Sequence, residues 1–254
     1  MSTSSRNLPD MPEEARHTLQ PYLGQLRKQI GEHLEAVILY GSLVRGEYVQ
    51  GRSNINLLLL IRQFSLDIGQ RCGSLHRRWG KEGVVAPLMM KPEELVNSSL
   101  LFPLEFLEIK DSHVLLEGRD PFPELHLTNK NLIVPCQQEL NGNLIRLRQR
   151  FVEGEGKAEA IFALLPLSLN ALMPCLRGLF RLLDQSPSGT SAAILERLPK
   201  TLQVEPGVFQ EVLELKRGLS SPGKKEFPRL YERYVQGLEG LIRRVNELIA
   251  EGRL

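Results

Sequence analysis

Cysteine is scarce in this chain: three residues in 254, Cys72, Cys136 and Cys175, far apart and none in a C-x-x-C pair. That pattern excludes a disulfide framework and a zinc knuckle as organising features. It points to a reducing compartment, most simply the cytoplasm. Histidine offers no more: His17, His33, His76, His113 and His126 show no H-x-x-x-H spacing. Aromatics reach only 6%, too few to supply the stacking platforms of a single-strand nucleic-acid binder. Charge of one sign is missing as well. Lys plus Arg number 32 and Asp plus Glu 30, for a net +2, so no global field pulls the chain onto nucleic acid or an anionic membrane. The longest apolar region, Ile161 to Leu176, falls short of the ~20 residues a bilayer span needs. It also carries Pro166, Ser168, Asn170 and Pro174, so a buried, kinked helix is expected there and no membrane association. The opening MSTSSRNLPDMPEEA is polar and acidic with no apolar stretch, unlike a secretory signal.

What remains is an ordinary globular balance, 42% hydrophobic and 24% charged, long enough for one large domain or two average ones. The hydrophobic period changes repeatedly in the N-terminal half. Pro12 to His33 reads as a helix, because Leu19, Tyr22, Leu23, Leu26 and Ile30 recur at three- and four-residue steps. Ala36–Tyr40 (AVILY), Ile55–Ile61 (INLLLLI), Val84–Met90 (VVAPLMM) and Val114–Glu117 read as strands. Leu66 to Trp79 reads as a helix, and Pro92 opens another. From about Thr128 onward the pattern is helical throughout. Its clearest member, within 224–252, places Tyr231, Tyr234, Val235, Leu238, Leu241, Ile242, Val245, Leu248 and Ile249 along one face. The expected architecture is α/β (α+β): a small mixed sheet with helices over residues 1–122, then an all-α helical bundle over 123–254. The break falls where Pro121 and Pro123 interrupt regular structure.

The chemistry concentrates in 36–61, AVILYGSLVRGEYVQGRSNINLLLLI. An apolar strand runs into Gly41-Ser42, where a short helix is expected to start. Glycine admits a ligand close to the backbone, serine offers a hydroxyl, and a helix N-terminus presents free N–H groups, a combination suited to phosphate. Arg45 stands one turn on as a cation. Asn54 and Asn56 alternate at the start of the next strand and share a face, because strand side chains repeat every two residues.

Strand, Gly41-Ser42, Arg45-Gly46 and then Ser53-Asn54-Ile55-Asn56-Leu57 about a dozen residues later resemble the nucleotidyltransferase fold of the DNA polymerase β superfamily. That family carries Gly-Ser, often Arg-Gly, and an Asp-x-Asp on the following strand. The resemblance covers residues 12 to about 120. The helices beyond it look like the bundle that trails this domain in kanamycin nucleotidyltransferase-type proteins. It implies Gly41, Ser42, Arg45, Ser53, Asn54 and Asn56 as the residues that would hold a nucleotide triphosphate or another phosphorylated ligand.

One departure governs the reaction. Both of the family's metal-binding aspartates fall on asparagine, and the strand that would bring the third carboxylate, 84–90, has no acid. Magnesium takes hard, charged oxygen ligands, and the third acid is the usual general base. The resemblance therefore implies no catalytic residue, no metal ligand and no cofactor, with nucleotidyl transfer lost or severely impaired and a regulatory or interaction role left. A protein partner through the bundle belongs to the same reading. The alternative is an active magnesium-dependent enzyme passing a nucleoside monophosphate to a protein or small-molecule hydroxyl.

Other candidates read more plainly. Glu105, Glu108 and Asp111 are expected on a solvated helix face. Glu47 adds one acid near the corner where three would be needed. Arg77, Arg78, Arg146, Arg148 and Arg150 form the densest basic groups and are expected as surface charges paired with acids, not as a nucleic-acid contact. Trp79, Met89, Met90 and the cysteines are expected in packing roles, and His113 in a structural one.

Overall fold

The computed structural model describes residues 11–254, with the side chain of Lys130 excepted. The opening decapeptide, read above as unlike a leader, lies outside the described residues. The chain divides into two compact units, one ending at Leu127 and the other running Thr128–Leu254.

In the first unit, helix α1 (Glu13–Ile30) starts directly after Pro12, with Glu13 and Glu14 in its first turn and Arg27 and Lys28 in its last, charges placed to suit the helix dipole. Strands β1 (Leu34–Tyr40) and β2 (Asn56–Ile61) follow. Helix α2 (Leu66–Trp79) comes next, capped by the Ser65 hydroxyl, which accepts from the Ile68 N–H. Strand β3 (Leu88–Met90), helices α3 (Pro92–Leu101) and α4 (Pro103–Asp111) and strand β4 (His113–Gly118) complete the unit.

The sheet order is β3-β2-β1-β4. β1 runs antiparallel to both β2 and β4, while β2 and β3 are parallel. β1 and β2 are apolar without alternation because both faces of the sheet are covered. Val37, Leu39, Leu57, Leu59 and Ile61 pack with α1 and α2 residues such as Leu19, Leu26 and Leu75. Ala36, Ile38, Leu58 and Leu60 pack on the other side with Leu95, Phe106, Ile109 and Phe122. The expected third strand is cut short: only Leu88–Met90 pair, with a lone bridge from Val84 to Ile55. Pro87 interrupts the ladder between them, because proline has no N–H to contribute.

The second unit is helical: α5 (Ile133–Glu153), α6 (Ala158–Leu182), α7 (Ser191–Glu196), α8 (Leu198–Leu202), α9 (Gly207–Arg217) and α10 (Phe227–Ala250). α6 packs against α5, α9 and α10. At 25 residues it is long and apolar enough to cross a membrane by length and composition, longer than its apolar run suggested. It nevertheless buries Leu165, Leu169, Leu172, Leu176 and Phe180 inside the unit, so it serves as the core helix expected from its sequence. The small mixed sheet and the helical second unit agree with the expected fold class.

Candidate functional site

β1 delivers its last residue, Tyr40, opposite Asn56, the first residue of β2. Gly41 then turns the chain with φ +90. A Cβ at this position would lie 2.7 Å from Asn56 Nδ2. The glycine is required by a backbone angle that side chains rarely adopt, and the amide end of Asn56 would have to shift for any side chain here.

No helix follows, which corrects the expected helix start. Residues 41–46 form a turn in which the Arg45 N–H bonds Gly41 O (3.2 Å) and the Glu47 N–H bonds Ser42 O (2.8 Å). The reason lies in packing. Leu43 is buried, Val44 and Tyr48 rest on the same core cluster, and Gly46 reverses the chain at φ +69. The apolar residues are drawn inward before a second helical turn can form.

Arg45 also departs from its expected role as an open cation. Its Nε lies 3.2 Å from Glu47 Oε2 and its Nη1 lies 3.2 Å from Glu108 Oε2. Glu47 exposes 6% of its side chain and Glu108 14%. Two poorly solvated carboxylates thus hold one guanidinium. Glu108 leaves the solvated face expected of it, although Glu105 and Asp111 remain exposed. The interaction joins the 41–46 turn to α4 across 63 residues of sequence. Helical spacing identified Glu108 as a surface residue, and nothing local marks its partner.

Ser53 serves the loop before β2. Its hydroxyl accepts from the Val49 N–H at 3.0 Å, and its own N–H bonds Val49 O at 2.8 Å. Asn54 is exposed. Asn56 is half-buried and donates from Nδ2 to the Asn54 carbonyl at 3.4 Å. Beyond Asn56, Tyr40 pairs with His113 of β4, so Asn56, Tyr40 and His113 form a row across three strands. His113 is held by the carbonyls of Ile109 (3.0 Å) and Lys110 (3.1 Å) and by Asp120 (3.1 Å), the structural role its sequence suggested. Burial raises the Tyr40 phenol above its ordinary pKa.

The donor set does not fit magnesium. Asn54 and Asn56 offer neutral amide oxygens, and Asn56 turns its nitrogen back onto its own strand. The backbone beside them, Gly83 to Val85, carries no acid. Glu47 and Glu108 already hold Arg45. Among the described residues no group of three or more His, Cys, Asp or Glu is arranged to hold a metal ion.

Three of the five arginines pair with acids as expected. Arg146 pairs with Glu139, Arg148 with Glu239 and Arg150 with Glu153, while Arg78 lies over the Trp79 ring. Trp79 donates to Gln25 and meets Tyr22 edge-on. All three cysteines are buried thiols.

No family model matches the chain, and no curated protein matches it. Among solved structures it is similar to spectinomycin adenyltransferase AAD(9) from Enterococcus faecialis, crystallised with ATP and spectinomycin. The TM-score is 0.51 at 10% identity, over 91% of this chain and 99% of that one. That likeness shows the fold: the small mixed sheet with its helical continuation is a nucleotidyltransferase fold.

Proposed function

We propose that this chain is a nucleotidyltransferase-fold protein that has given up metal-dependent transfer and acts by binding, with a nucleotide or another phosphorylated ligand held at the Gly41-Ser42 corner. The observation carrying this reading is the state of the carboxylates. Both positions of the Asp-x-Asp pattern are amides, and the two acids nearest in the turn's hydrogen-bonding network neutralise Arg45. Without two or three anionic oxygens no divalent ion is drawn to the site, and charge on a transferring phosphoryl group goes unopposed. Ser42 and Asn54, neither with a side-chain hydrogen bond among the described residues, are the side chains left to meet the ligand. The bound form is a nucleotide without its metal, since the aspartates that would repel its phosphates are gone.

A second reading is favoured by the breadth of the structural likeness. It extends over nearly the whole of an adenyltransferase whose structure holds ATP and spectinomycin, and so supports a small-molecule hydroxyl as acceptor in an active enzyme. Incubation with labelled ATP, magnesium or manganese and a cell extract separates the two. The unmodified chain is expected to label nothing. Label transfer by it overturns the non-catalytic reading, and transfer only by Asn54→Asp plus Asn56→Asp shows that the corner kept its geometry. Calorimetric titration with ATP, with and without magnesium, tests the binding itself. No heat at millimolar nucleotide removes the ligand role.

A further inference from the structure

The helical unit contains a cleft of about 520 Å³ at the start of α10, within the size range of small-molecule sites. Its polar lining comprises Glu211 from α9, Ser220, Ser221 and Glu226 from the connection, and Arg229 and Arg233 from α10. One oxygen of each carboxylate is already engaged. Glu211 Oε2 holds Arg233 at 2.7 Å, and Glu226 Oε2 accepts from the Gly223 N–H at 2.5 Å. Two donors are not. Among the described residues Arg229 has no hydrogen-bond or ion-pair partner, and the Ser220 hydroxyl is shielded from solvent with no partner. A serine hydroxyl has staggered wells to choose from and can turn toward an acceptor that enters. A guanidinium presents a fork of N–H groups matched to paired oxygens.

Arg229 stands exposed on the lining with its guanidinium open, and the Ser220 hydroxyl lacks an acceptor, so a ligand that brings acceptors is the kind this lining matches. We infer that this cleft binds the oxyanion group of a small molecule, a phosphate ester or a carboxylate, through Arg229 with Ser220 and Ser221. The site belongs to the second unit alone and is independent of the Gly41-Ser42 corner.

The test uses the full chain, titrated with inorganic phosphate in one arm and malonate in the other, at constant ionic strength. Amide NMR shifts of Ser220, Ser221 and Arg233 are the readout. Saturable shifts in either arm, weakened at least tenfold by Arg229→Ala and undisturbed by Ser42→Ala, are expected, and the stronger arm names the anion. Arg229 has no protein partner, so its alanine variant is expected to unfold at the same denaturant midpoint as the unmodified chain. Ser220→Ala provides a second variant, expected to weaken binding without loss of stability, since it removes a hydroxyl that nothing satisfies. No saturable shift in either arm, or equal binding by Arg229→Ala, overturns the inference. Binding lost in Ser42→Ala but kept in Arg229→Ala assigns the anion to the first unit and does the same.

Discussion

Gly41 concentrates the geometry of the corner in one residue. Substituting alanine asks a side chain to adopt φ +90 with its Cβ 2.7 Å from Asn56 Nδ2. Gly41→Ala is expected to destabilise the protein by about 1–3 kcal/mol, readable as a lower denaturant midpoint with an unchanged slope. Arg45 gives the complementary case. Its removal takes from Glu47 and Glu108, both poorly solvated, the cation they share. Breaking a poorly solvated pair from one side is costly because the remaining charge loses the partner that offset its desolvation. Arg45→Ala is therefore expected to cost about 2–4 kcal/mol, and Arg45→Ala combined with Glu108→Gln to recover part of that loss. Full additivity of the two substitutions would count against the ion pair. A cation that only awaited phosphate would show no such cost.

At the scale of elements, the helical unit is joined by a buried polar contact as well as by apolar packing. The Ser168 hydroxyl of α6 donates to Asn143 Oδ1 of α5 (2.5 Å) and meets the Tyr234 hydroxyl of α10 (3.1 Å). The Asn143 amide in turn donates to the Ser168 carbonyl (2.9 Å). All three residues are buried, so each lost partner leaves a polar atom with no water to replace it. Ser168→Ala is expected to lower stability by about 1–3 kcal/mol, checked by urea unfolding. Its coupling to Tyr234→Phe in a double-mutant cycle is expected to be non-zero. In the first unit, β1 bears the equivalent burden. It lies between β2 and β4, and its far end sets Tyr40 and Gly41 against Asn56. A one-residue slip of the β1–β2 register would move Asn56 off Gly41 and send the core side chains to the wrong faces.

For the whole molecule, both units respond to alkali in the same direction. Burial is the largest cause raising the Tyr22 and Tyr40 phenols in the first unit and Tyr234 in the second above the ordinary value of 10.0. Below that value the phenols are protonated whether the chain is folded or not, and their contribution is fully present. Above it the unfolded chain releases protons that the folded one retains, so stability falls with rising pH until the raised folded values are passed. Urea midpoints measured at about pH 8 and about pH 11 are expected to drop at the higher pH, and Tyr22→Phe is expected to reduce the drop. A midpoint independent of pH across that interval would mean these phenols ionise freely in the folded protein.

The sequence alone determined the elements whose causes are local. α2 was legible from Leu66 to Trp79, β1 and β2 by their apolar runs, α6 by its long apolar stretch, and α10 by a face repeating every three to four residues. It also determined the donor chemistry of the corner, since asparagine is neutral wherever it lies. Tertiary structure decided what depended on distant partners. The turn after Gly41 failed to become a helix because Leu43, Val44 and Tyr48 were claimed by the core. β3 shrank to three residues because a proline sits where a ladder needs an N–H. Arg45 became a structural cation because Glu108, distant in sequence, arrives beside it on α4. Periodicity records how each segment meets an apolar interior, but carries no information about which charges meet across the fold, and that pairing changed Arg45 from an open cation to a neutralised one.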